Sequence, residues 1–427
     1  MATGTVPVRR ARRGARRILI VIENVPLARD HRARKQVQCL LQAGYEVSVI
    51  SREHADNGTC RNHAGLRLYE YPAPREASGK LAFVYEYAYS LLAASALALK
   101  DFLRHGFDAV QVGDPPDIYF VLALPFRLAG RRFVVDQRDL SPELYAVRYG
   151  RDTGPLPWLL RALERLSWRL ADHVFCVNGS LRHVIVQRGG VSPDAVTVVG
   201  NGPVLSRTAP RPPWLNAKNG RRFLACWLGV MGAQDHVDLA LWAVHHLVHT
   251  LGRDDCHFAF IGDGEVLPEL QRLAEQLAVK DWVTFTGWLD EDACFDYLAT
   301  ADLALDSNLQ PEVSPVKGME YMAFGVPFVA FDLEETVAMA DGAAVYLPQG
   351  DPLALARAVD ELLDDPARRA EMSRIGRKRV EQHLAWDRQS EGYLGVYARL
   401  LGPTPSAADH GAQQTGELPP TSRVHHT

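Results

Sequence analysis

The segment SPVKGMEYMAFGVPFVAF, residues 314–331, predicts the kind of fold that this chain adopts. Ser314 and Pro315 favour a helix start, because a serine hydroxyl can cap a helix and proline fits its first turn. Gly325 fits the left-handed conformation that ends a helix, and Pro327 prevents continuation. The apolar run that follows predicts a short buried strand. A helix of about three turns that leads into a buried strand is a building unit of α/β proteins.

A lysine in the first turn of this predicted helix points to a bound anion. The helix N-terminus is already positive, so Lys317 adds a second positive charge where free N–H groups suit a phosphate. Glu320 lies three residues further on, on the same face, where its carboxylate can accept hydrogen bonds from sugar hydroxyls. A phosphate beside a ribose is a nucleotide. The alternative is a solvent-exposed pair between Lys317 and Glu320, worth about 0.2–0.5 kcal/mol.

The composition is that of a globular protein that does not bind nucleic acid. Its 427 residues predict about two or three domains, with an ordinary 47% apolar and 23% charged content. The net charge of −4 gives no electrostatic footprint for nucleic acid. The six cysteines form no C-x-x-C pair, which argues against a zinc site and against a disulfide framework. This usage fits a reducing compartment, so we expect a cytoplasmic protein.

Two segments bear on membrane association. Residues 1–17 are rich in arginine and lack the apolar core of a signal peptide, which predicts a basic disordered arm with weak attraction to an anionic membrane surface. Residues 81–99 form the longest apolar stretch, but Glu86 interrupts it. We interpret this stretch as a core helix, with a membrane-facing helix as the alternative. Weak peripheral association with the cytoplasmic face of a membrane is therefore the most that we expect.

Two series of alternating strands and helices are joined by a proline-rich linker. The first begins with a buried strand at Ile18 and forms a β-α-β unit that lacks a dinucleotide-binding fingerprint, and the second begins near Phe223. Each series predicts a Rossmann-like domain. The predicted segments are a basic arm (1–17), an N-terminal domain (18–203), a linker (204–220), a C-terminal domain (221–384), a C-terminal helix (385–402) and a disordered tail (403–427).

Polar or glycine-rich loops follow the predicted strands, at the edge where open α/β sheets bind ligands. In the first series, Asp114 lies in QVGDPPD and Asp139 lies in VVDQRDLSPE. Each of these aspartates is either a functional carboxylate or a cap or turn residue. In the second series, the loops GVMGAQD, GDG and TGW follow three successive strands.

These features together resemble the GT-B glycosyltransferases, in particular the retaining family 4 type. The resemblance covers roughly residues 18–402 and rests on E-x7-E from Glu312 to Glu320 and, in order, on QVGDPPD, ADHVFCVN, LGVMGAQDHVD, FIGDGEVLPEL, VTFTGWL and KGMEYMAFGVPFVAFD. It implies an α/β fold of two Rossmann-like domains that face each other across a cleft. The N-terminal domain would bind the acceptor, the C-terminal domain the nucleotide sugar, and residues 385–402 would return to the N-terminal domain.

The resemblance also implies a reaction and roles for single residues. The reaction is sugar transfer from a nucleoside-diphosphate sugar to an acceptor hydroxyl with retention, in glycan, cell-surface polysaccharide or glycoconjugate biosynthesis. Glu320 would bind the ribose, Glu312 would approach the donor sugar, and Lys317 would meet the pyrophosphate. Asp114 and Asp139 would orient the acceptor or stabilise the sugar cation. The other donor-binding residues would be Gly232, Gln234, Gly262, Asp263, Gly264, Gly287 and Trp288.

The chain departs from this family in three places. Members often carry a histidine at the end of the strand that here ends in Gly113, where this chain offers Asp114. Many use an arginine and a lysine against the pyrophosphate where residues 234–236 here read QDH, so we expect Lys317 to carry more of the charge. Glu312 lies in PEVSP rather than in a glycine-rich context.

We expect a reaction without metal or cofactor, because no D-x-D segment lies at a strand end and the donor is itself a substrate. The acceptor would be a lipid-linked glycan, a growing polysaccharide or a small molecule. Two other classes remain open. One is a sugar-nucleotide epimerase of the same fold, and the other is a non-catalytic relative that binds a nucleotide.

Overall fold

The structure, a computed structural model, describes residues 15–402 apart from residues 24, 62, 74–79, 151, 210 and 312–313. Most of the predicted basic arm (1–17) and all of the predicted tail (403–427) therefore lie outside the described residues. Glu312 also lies outside them. The described residues form two parallel-sheet Rossmann-like α/β domains, as predicted.

The first sheet has seven strands in the order β3-β2-β1-β4-β5-β6-β7, a doubly wound arrangement. Its strands are β1 Arg17–Val21, β2 Glu46–Arg52, β3 Leu66–Tyr71, β4 Ala109–Asp114, β5 Arg132–Gln137, β6 His173–Cys176 and β7 Val196–Val198. The helices between them are α1 His31–Gln42, α2 Gly58–Arg61, α3 Lys80–Arg104, α4 Phe120–Leu128, α5 Ser141–Tyr149, α6 Pro155–Leu170 and α7 Gly179–Gly189. Strand β1 pairs in parallel with β2 and β4 and is apolar and buried from Ile18 to Val21, as a strand covered on both faces should be.

The second sheet has six strands in the order β10-β9-β8-β11-β12-β13. Its strands are β8 Phe223–Leu228, β9 Cys256–Ile261, β10 Val283–Phe285, β11 Leu303–Asp306, β12 Phe328–Phe331 and β13 Ala344–Leu347. The helices that accompany and follow it are α8 Val237–His245, α9 Leu267–Gln276, α10 Glu291–Thr300, α11 Val316–Ala323, α12 Glu334–Ala340, α13 Pro352–Asp364, α14 Pro366–Arg379 and α15 Trp386–Leu401. Strand order changes direction at β8, and ligands bind at such a point in open α/β sheets.

The described residues divide into two compact units. One contains residues 15–136, 163–174 and 393–402, and the other contains residues 137–162 and 175–392. The domain boundaries given above stay predictions.

The core of the first unit contains a buried ion pair. The Arg32 guanidinium on α1 donates to the Asp136 carboxylate on β5, with Nη2 at 2.6 Å from Oδ1 and Nε at 2.9 Å from Oδ2. The Arg32 side chain is 4% exposed and the Asp136 side chain is fully buried. Gln36, one turn further along α1, donates from Nε2 to Asp136 Oδ2 at 3.0 Å. Hydrogen bonds of this kind are what a buried charge needs in order to be tolerated.

The same polar network fastens the C-terminal helix. Gln111 on β4 donates from Nε2 to Gln36 Oε1 at 2.9 Å, and its own Oε1 accepts from the hydroxyls of Tyr393 and Tyr397 on α15, both at 2.7 Å. Burial raises the pKa of Tyr393 and of Tyr397 well above the usual range for tyrosine, so both hydroxyls stay protonated and donate.

In the second unit, the chain before the linker touches the start of the C-terminal helix. Gly202 lies against the backbone of Leu384, so close that a Cβ at position 202 would lie 1.6 Å from the Leu384 carbonyl oxygen. The Trp386 N–H donates to the Pro203 carbonyl at 2.8 Å. The glycine is therefore required for the two segments to run side by side.

Candidate active site

Glycine turns bring three strand ends of the second sheet into direct contact. Gly262 follows β9 with φ +132°, and a Cβ there would lie 1.9 Å from the carbonyl oxygen of Gly229, which follows β8. A Cβ on Gly264 would likewise lie 2.3 Å from the Met231 carbonyl oxygen. The backbone approaches closely only because these positions lack side chains. The GDG segment singled out in the sequence is thus a packing requirement at the ligand-binding edge.

The turn after β10 completes this surface. Gly287 forms an antiparallel bridge with Gly262, and the Gly262 N–H donates to Thr286 Oγ1 at 3.3 Å. The next residue, Trp288, keeps 62% of its side chain exposed beside these rigid turns. A large exposed indole on a fixed backbone offers a flat apolar surface to a ligand.

Helix α11 begins at Val316, one residue later than the predicted cap would place it. Ser314 does not cap it with its side chain: Pro315 occupies the cap position without a side-chain hydrogen bond, and the Val316 N–H donates to the Ser314 carbonyl at 2.8 Å. The helix has eight residues, about two turns. Its end was predicted correctly, since Gly325 has φ +69° and β12 follows.

The Lys317 side chain has three close neighbours at the start of α11. Its Nζ lies 2.7 Å from Asp235 Oδ1 and 4.4 Å from the centre of the Trp227 ring. A Cβ on Gly229 would lie 2.6 Å from Lys317 Cε, so that glycine leaves the space that the lysine stem fills. Only 17% of the Lys317 side chain is exposed. The lysine is thus a mostly buried cation at the strand edge, and its ion pair is with Asp235 instead of a solvent-exposed pair with Glu320.

Helix α11 and the strand ends below it are fastened by buried hydrogen bonds. The Tyr321 hydroxyl donates to the Leu305 carbonyl at 3.1 Å and accepts from the Leu228 N–H at 2.9 Å. Burial raises the pKa of Tyr321 well above the usual range, which keeps it a donor. The Trp227 indole donates from Nε1 to Ser307 Oγ at 3.2 Å. These bonds fix the strand ends and the residues around Lys317 before any ligand binds.

The other predicted donor-binding residues lie around Lys317. Glu320 is partly buried on α11, one turn after Lys317. The Gly232 N–H donates to Asp235 Oδ2 at 3.3 Å, and the Gln234 side chain is exposed beside it. Asp263 is exposed and accepts from the Gly264 N–H at 2.7 Å. The structure therefore gathers the predicted residues of this half at one edge of the second sheet.

The predicted carboxylates of the first half have different environments. Asp114 is fully buried, and Ser167 Oγ donates to its Oδ2 at 2.8 Å. Burial, and then the negative charge of Asp117, raises the pKa of Asp114 well above its usual range. The buried Asp114 carboxyl joins the end of β4 to Ser167 on α6, and in this structure it does not reach solvent.

Asp139 is exposed and lines an open cleft. Gln137 donates from Nε2 to the Asp139 carbonyl at 2.7 Å, which shapes the loop. The cleft is open, and its volume of about 330 Å³ includes open solvent. Its lining residues are Asp139, Leu140, Glu143, Leu144, Val147, Leu181 and Gln310. Since Gln310 lies in the segment that leads to α11, the structure brings Asp139 close to that segment.

The candidate site also contains four residues that were not among the predicted ones: Trp227, Asp235, Ser307 and Tyr321. Each acts through a contact between distant parts of the chain, such as the Lys317–Asp235 pair across 82 positions. The available signal was a carboxylate in the first glycine loop, at the place where the resemblance implies a basic residue. Within the ranges that the structure describes, no three His, Cys, Asp or Glu side chains are grouped so as to hold a metal ion.

Solved structures place this fold in a known class. Anabaena Alr3699/HepE in complex with UDP-glucose superposes with a TM-score of 0.70 and 15% identity, over 90% of this chain and 99% of that chain. Two parallel-sheet Rossmann-like domains of this kind define the GT-B fold. The family described as "Glycosyl transferase 4-like domain" matches residues 30–202 of the sequence. The family described as "Glycosyl transferases group 1" matches residues 222–365. Together they cover more than half of the chain, which belongs to the group 1 glycosyl transferases.

Single relatives match this chain at low identity or over only part of its length. The GDP-mannose-dependent monoacylated alpha-(1-6)-phosphatidylinositol monomannoside mannosyltransferase of Corynebacterium glutamicum is 33% identical over 153 residues, 34% of this chain and 39% of the relative. The 2-deoxystreptamine glucosyltransferase of Streptomyces kanamyceticus is 26% identical over 352 residues, 79% of this chain and 89% of the relative. The chain spans only 30–46% of the length of four curated relatives with which it shares shorter matches.

Proposed function

We propose that this protein transfers a sugar from a nucleoside-diphosphate sugar to an acceptor hydroxyl with retention. The observation that carries the proposal is the mostly buried Lys317 ammonium beside glycine turns, at the carboxyl edge of the second sheet. Negative charge develops on the diphosphate as it leaves, and a fixed cation with backbone N–H groups stabilises such charge. The α11 N-terminus adds its dipole in the same sense.

The surrounding residues suit the other parts of a nucleotide sugar. Glu320 lies one turn along α11 from Lys317, where its carboxylate accepts hydrogen bonds from ribose hydroxyls. Trp288 is exposed beside the turn of Gly287 and offers its ring to the base. Asp139 lines the open cleft and is the carboxylate for the acceptor, whereas Asp114 is buried. The donor-sugar role of Glu312 stays a prediction.

The acceptor belongs to one of two chemical classes. One relative is named for a phosphatidylinositol monomannoside and the other for 2-deoxystreptamine. A lipid-linked glycan and a small polyhydroxylated molecule are therefore the acceptors to test, with polysaccharide or glycoconjugate biosynthesis as the setting. No cofactor takes part in the proposed reaction.

Incubation with UDP-, GDP- and TDP-sugars tests the reaction class. We expect slow hydrolysis of one donor, and faster turnover once an acceptor of the right class is present. Because Lys317 and the helix dipole meet the leaving-group charge, EDTA should leave this turnover unchanged. An epimerised donor would indicate an epimerase, and binding without turnover a non-catalytic relative. Activity that is lost with EDTA and returns with Mn²⁺ would contradict metal independence.

Substitution of the two charged residues on α11 tests the donor site. We expect Lys317→Ala and Glu320→Ala each to weaken nucleotide binding by about 1.5–3 kcal/mol, the range for hydrogen bonds to charged groups. The measurement is the dissociation constant of the nucleoside diphosphate, by calorimetry. Lys280→Ala is the matched control, since Lys280 also forms a 2.7 Å ion pair but is 70% exposed. If all three variants bind the nucleoside diphosphate as tightly as the unchanged protein does, the site assignment is wrong.

We also propose weak peripheral association with the cytoplasmic face of a membrane. None of the helices in the described part of the chain is long and apolar enough to cross a membrane. Helix α3 nevertheless exposes apolar side chains on the face opposite its buried one. Leu92, Leu99 and Leu103 are 71%, 51% and 75% exposed, whereas Ala94 and Ala98 are fully buried. A helix that is apolar on both faces has more apolar surface than its own unit covers.

The charges on α3 suit an anionic lipid surface. Lys100 and Arg104 are exposed near the C-terminal end of the apolar stripe. We expect the protein to sediment with vesicles of phosphatidylcholine and phosphatidylglycerol at low salt, and less with phosphatidylcholine alone. Leu92→Glu with Leu103→Glu should abolish sedimentation, and Val337→Glu, on exposed Val337 of α12, should not. Equal sedimentation of both variants would refute this surface.

A further inference from the structure

One carboxylate of the candidate site holds the groups that a phosphate would use. Asp235 Oδ1 accepts from the Lys317 ammonium at 2.7 Å, and Asp235 Oδ2 accepts from the Gly232 N–H at 3.3 Å. An ammonium group and the N–H of a glycine turn are typical ligands of phosphate in proteins. The geometry is that of an anion site filled by the protein's own anion.

Contacts other than the Asp235 pair also position the lysine. The Trp227 ring lies 4.4 Å from Nζ, and the stem fills the space that the missing side chain of Gly229 leaves. The ammonium therefore has supports besides Asp235. The charge of Asp235 has a larger effect, since a carboxylate beside a diphosphate repels it at short range.

The Asp235 carboxylate lies beside an exposed residue at the edge of the site. Its backbone is restrained, because the Asp235 carbonyl accepts from Ser307 Oγ at 3.0 Å. The Asp235 side chain is 16% exposed, and its neighbour Gln234 is exposed. Rotation of this one side chain would release both Lys317 and the Gly232 N–H.

We propose that the Asp235 carboxylate occupies part of the diphosphate position in the free protein and competes with the donor for Lys317 and the Gly232 amide. The inference rests on the nucleotide-sugar site proposed above. Donor binding exchanges one anion for another, so the lysine is neutralised in both states. Asp235 then lowers donor affinity and stabilises the empty site.

Asp235→Asn is the test, because asparagine keeps the shape and removes the charge. We expect it to bind UDP or GDP at least tenfold more tightly than the unchanged protein and to melt at a lower temperature without ligand. Inorganic pyrophosphate should show the same gain, because the effect concerns the diphosphate. Asp238→Asn is the matched control: Asp238 is exposed in the first turn of α8, and its loss should change neither quantity. Asp235→Glu keeps the charge and should bind like the unchanged protein.

The outcomes separate this inference from the proposed function. Weaker or equal binding by Asp235→Asn, with normal binding by the unchanged protein, would overturn the competition and leave the nucleotide site standing. Binding that Mg²⁺ strengthens in the unchanged protein but not in Asp235→Asn would make Asp235 a metal ligand and also overturn it. If neither UDP, GDP nor pyrophosphate binds any of these variants, both the site and the inference fall.

Discussion

Replacing Asp136 by alanine is expected to lower the free energy of unfolding by about 3–5 kcal/mol, the cost of breaking a buried ion pair. The Arg32 guanidinium is 4% exposed and would stay in the core without this carboxylate. Gln36 would lose its acceptor in the same step. Denaturant unfolding followed by circular dichroism measures this change in stability. We expect the midpoint of the unfolding transition to lie at a lower denaturant concentration.

The matched control is an ion pair of the same length on the surface. Glu371 and Arg374 also lie 2.6 Å apart, but their side chains are 56% and 62% exposed. Glu371→Ala should leave stability almost unchanged, because solvent already screens that pair. A similar loss in Asp136→Ala and Glu371→Ala would show that burial does not set the energy of the core pair.

Gly202→Ala is expected to be destabilising by about 3 kcal/mol, at the upper end of the cost of overpacking. The added Cβ would meet the Leu384 carbonyl oxygen at 1.6 Å, and backbone cannot rotate away as a side chain can. The two segments would have to separate, which removes the bond from the Trp386 N–H to the Pro203 carbonyl. Thermal unfolding should show the loss directly.

A second glycine in the same region gives a control of opposite sign. Gly395 lies on α15, and a Cβ there has no neighbour within 4 Å. Gly395→Ala should stabilise the protein by up to about 1 kcal/mol, because alanine is the better helix former. If Gly202→Ala is as well tolerated as Gly395→Ala, the close approach described at Leu384 is not present in solution.

Local sequence rules predicted the parts of the fold that depend on neighbouring residues. Gly325 ended α11 as expected, and the apolar run after Pro327 formed β12, because backbone conformation and period are local properties. The cap was predicted wrongly for an equally local reason: Pro315 took the cap position and left the Ser314 hydroxyl no part in it.

Contacts between distant residues were beyond such rules. Lys317 and Asp235 are 82 positions apart, and only the parallel arrangement of β8 and β11 brings their loops together. Gln111 is a polar residue in a strand whose neighbours are apolar, and its tyrosine partners lie 282 and 286 positions away. The resemblance to a family supplied the site as a set of residues, but not the carboxylate that fills it.

The buried network around Gln111 can be completed only after Tyr393 and Tyr397 have been synthesised. The ribosome synthesises the chain from its N-terminus, so β1 to β5 emerge long before Tyr393 and Tyr397. Until α15 arrives, Gln111 Oε1 lacks the two hydroxyl donors that it has in the finished core. The nascent first unit is thus an incomplete fold that waits for the last helix. We expect a chain stalled before residue 386 to be more open to protease and chaperone than the released protein.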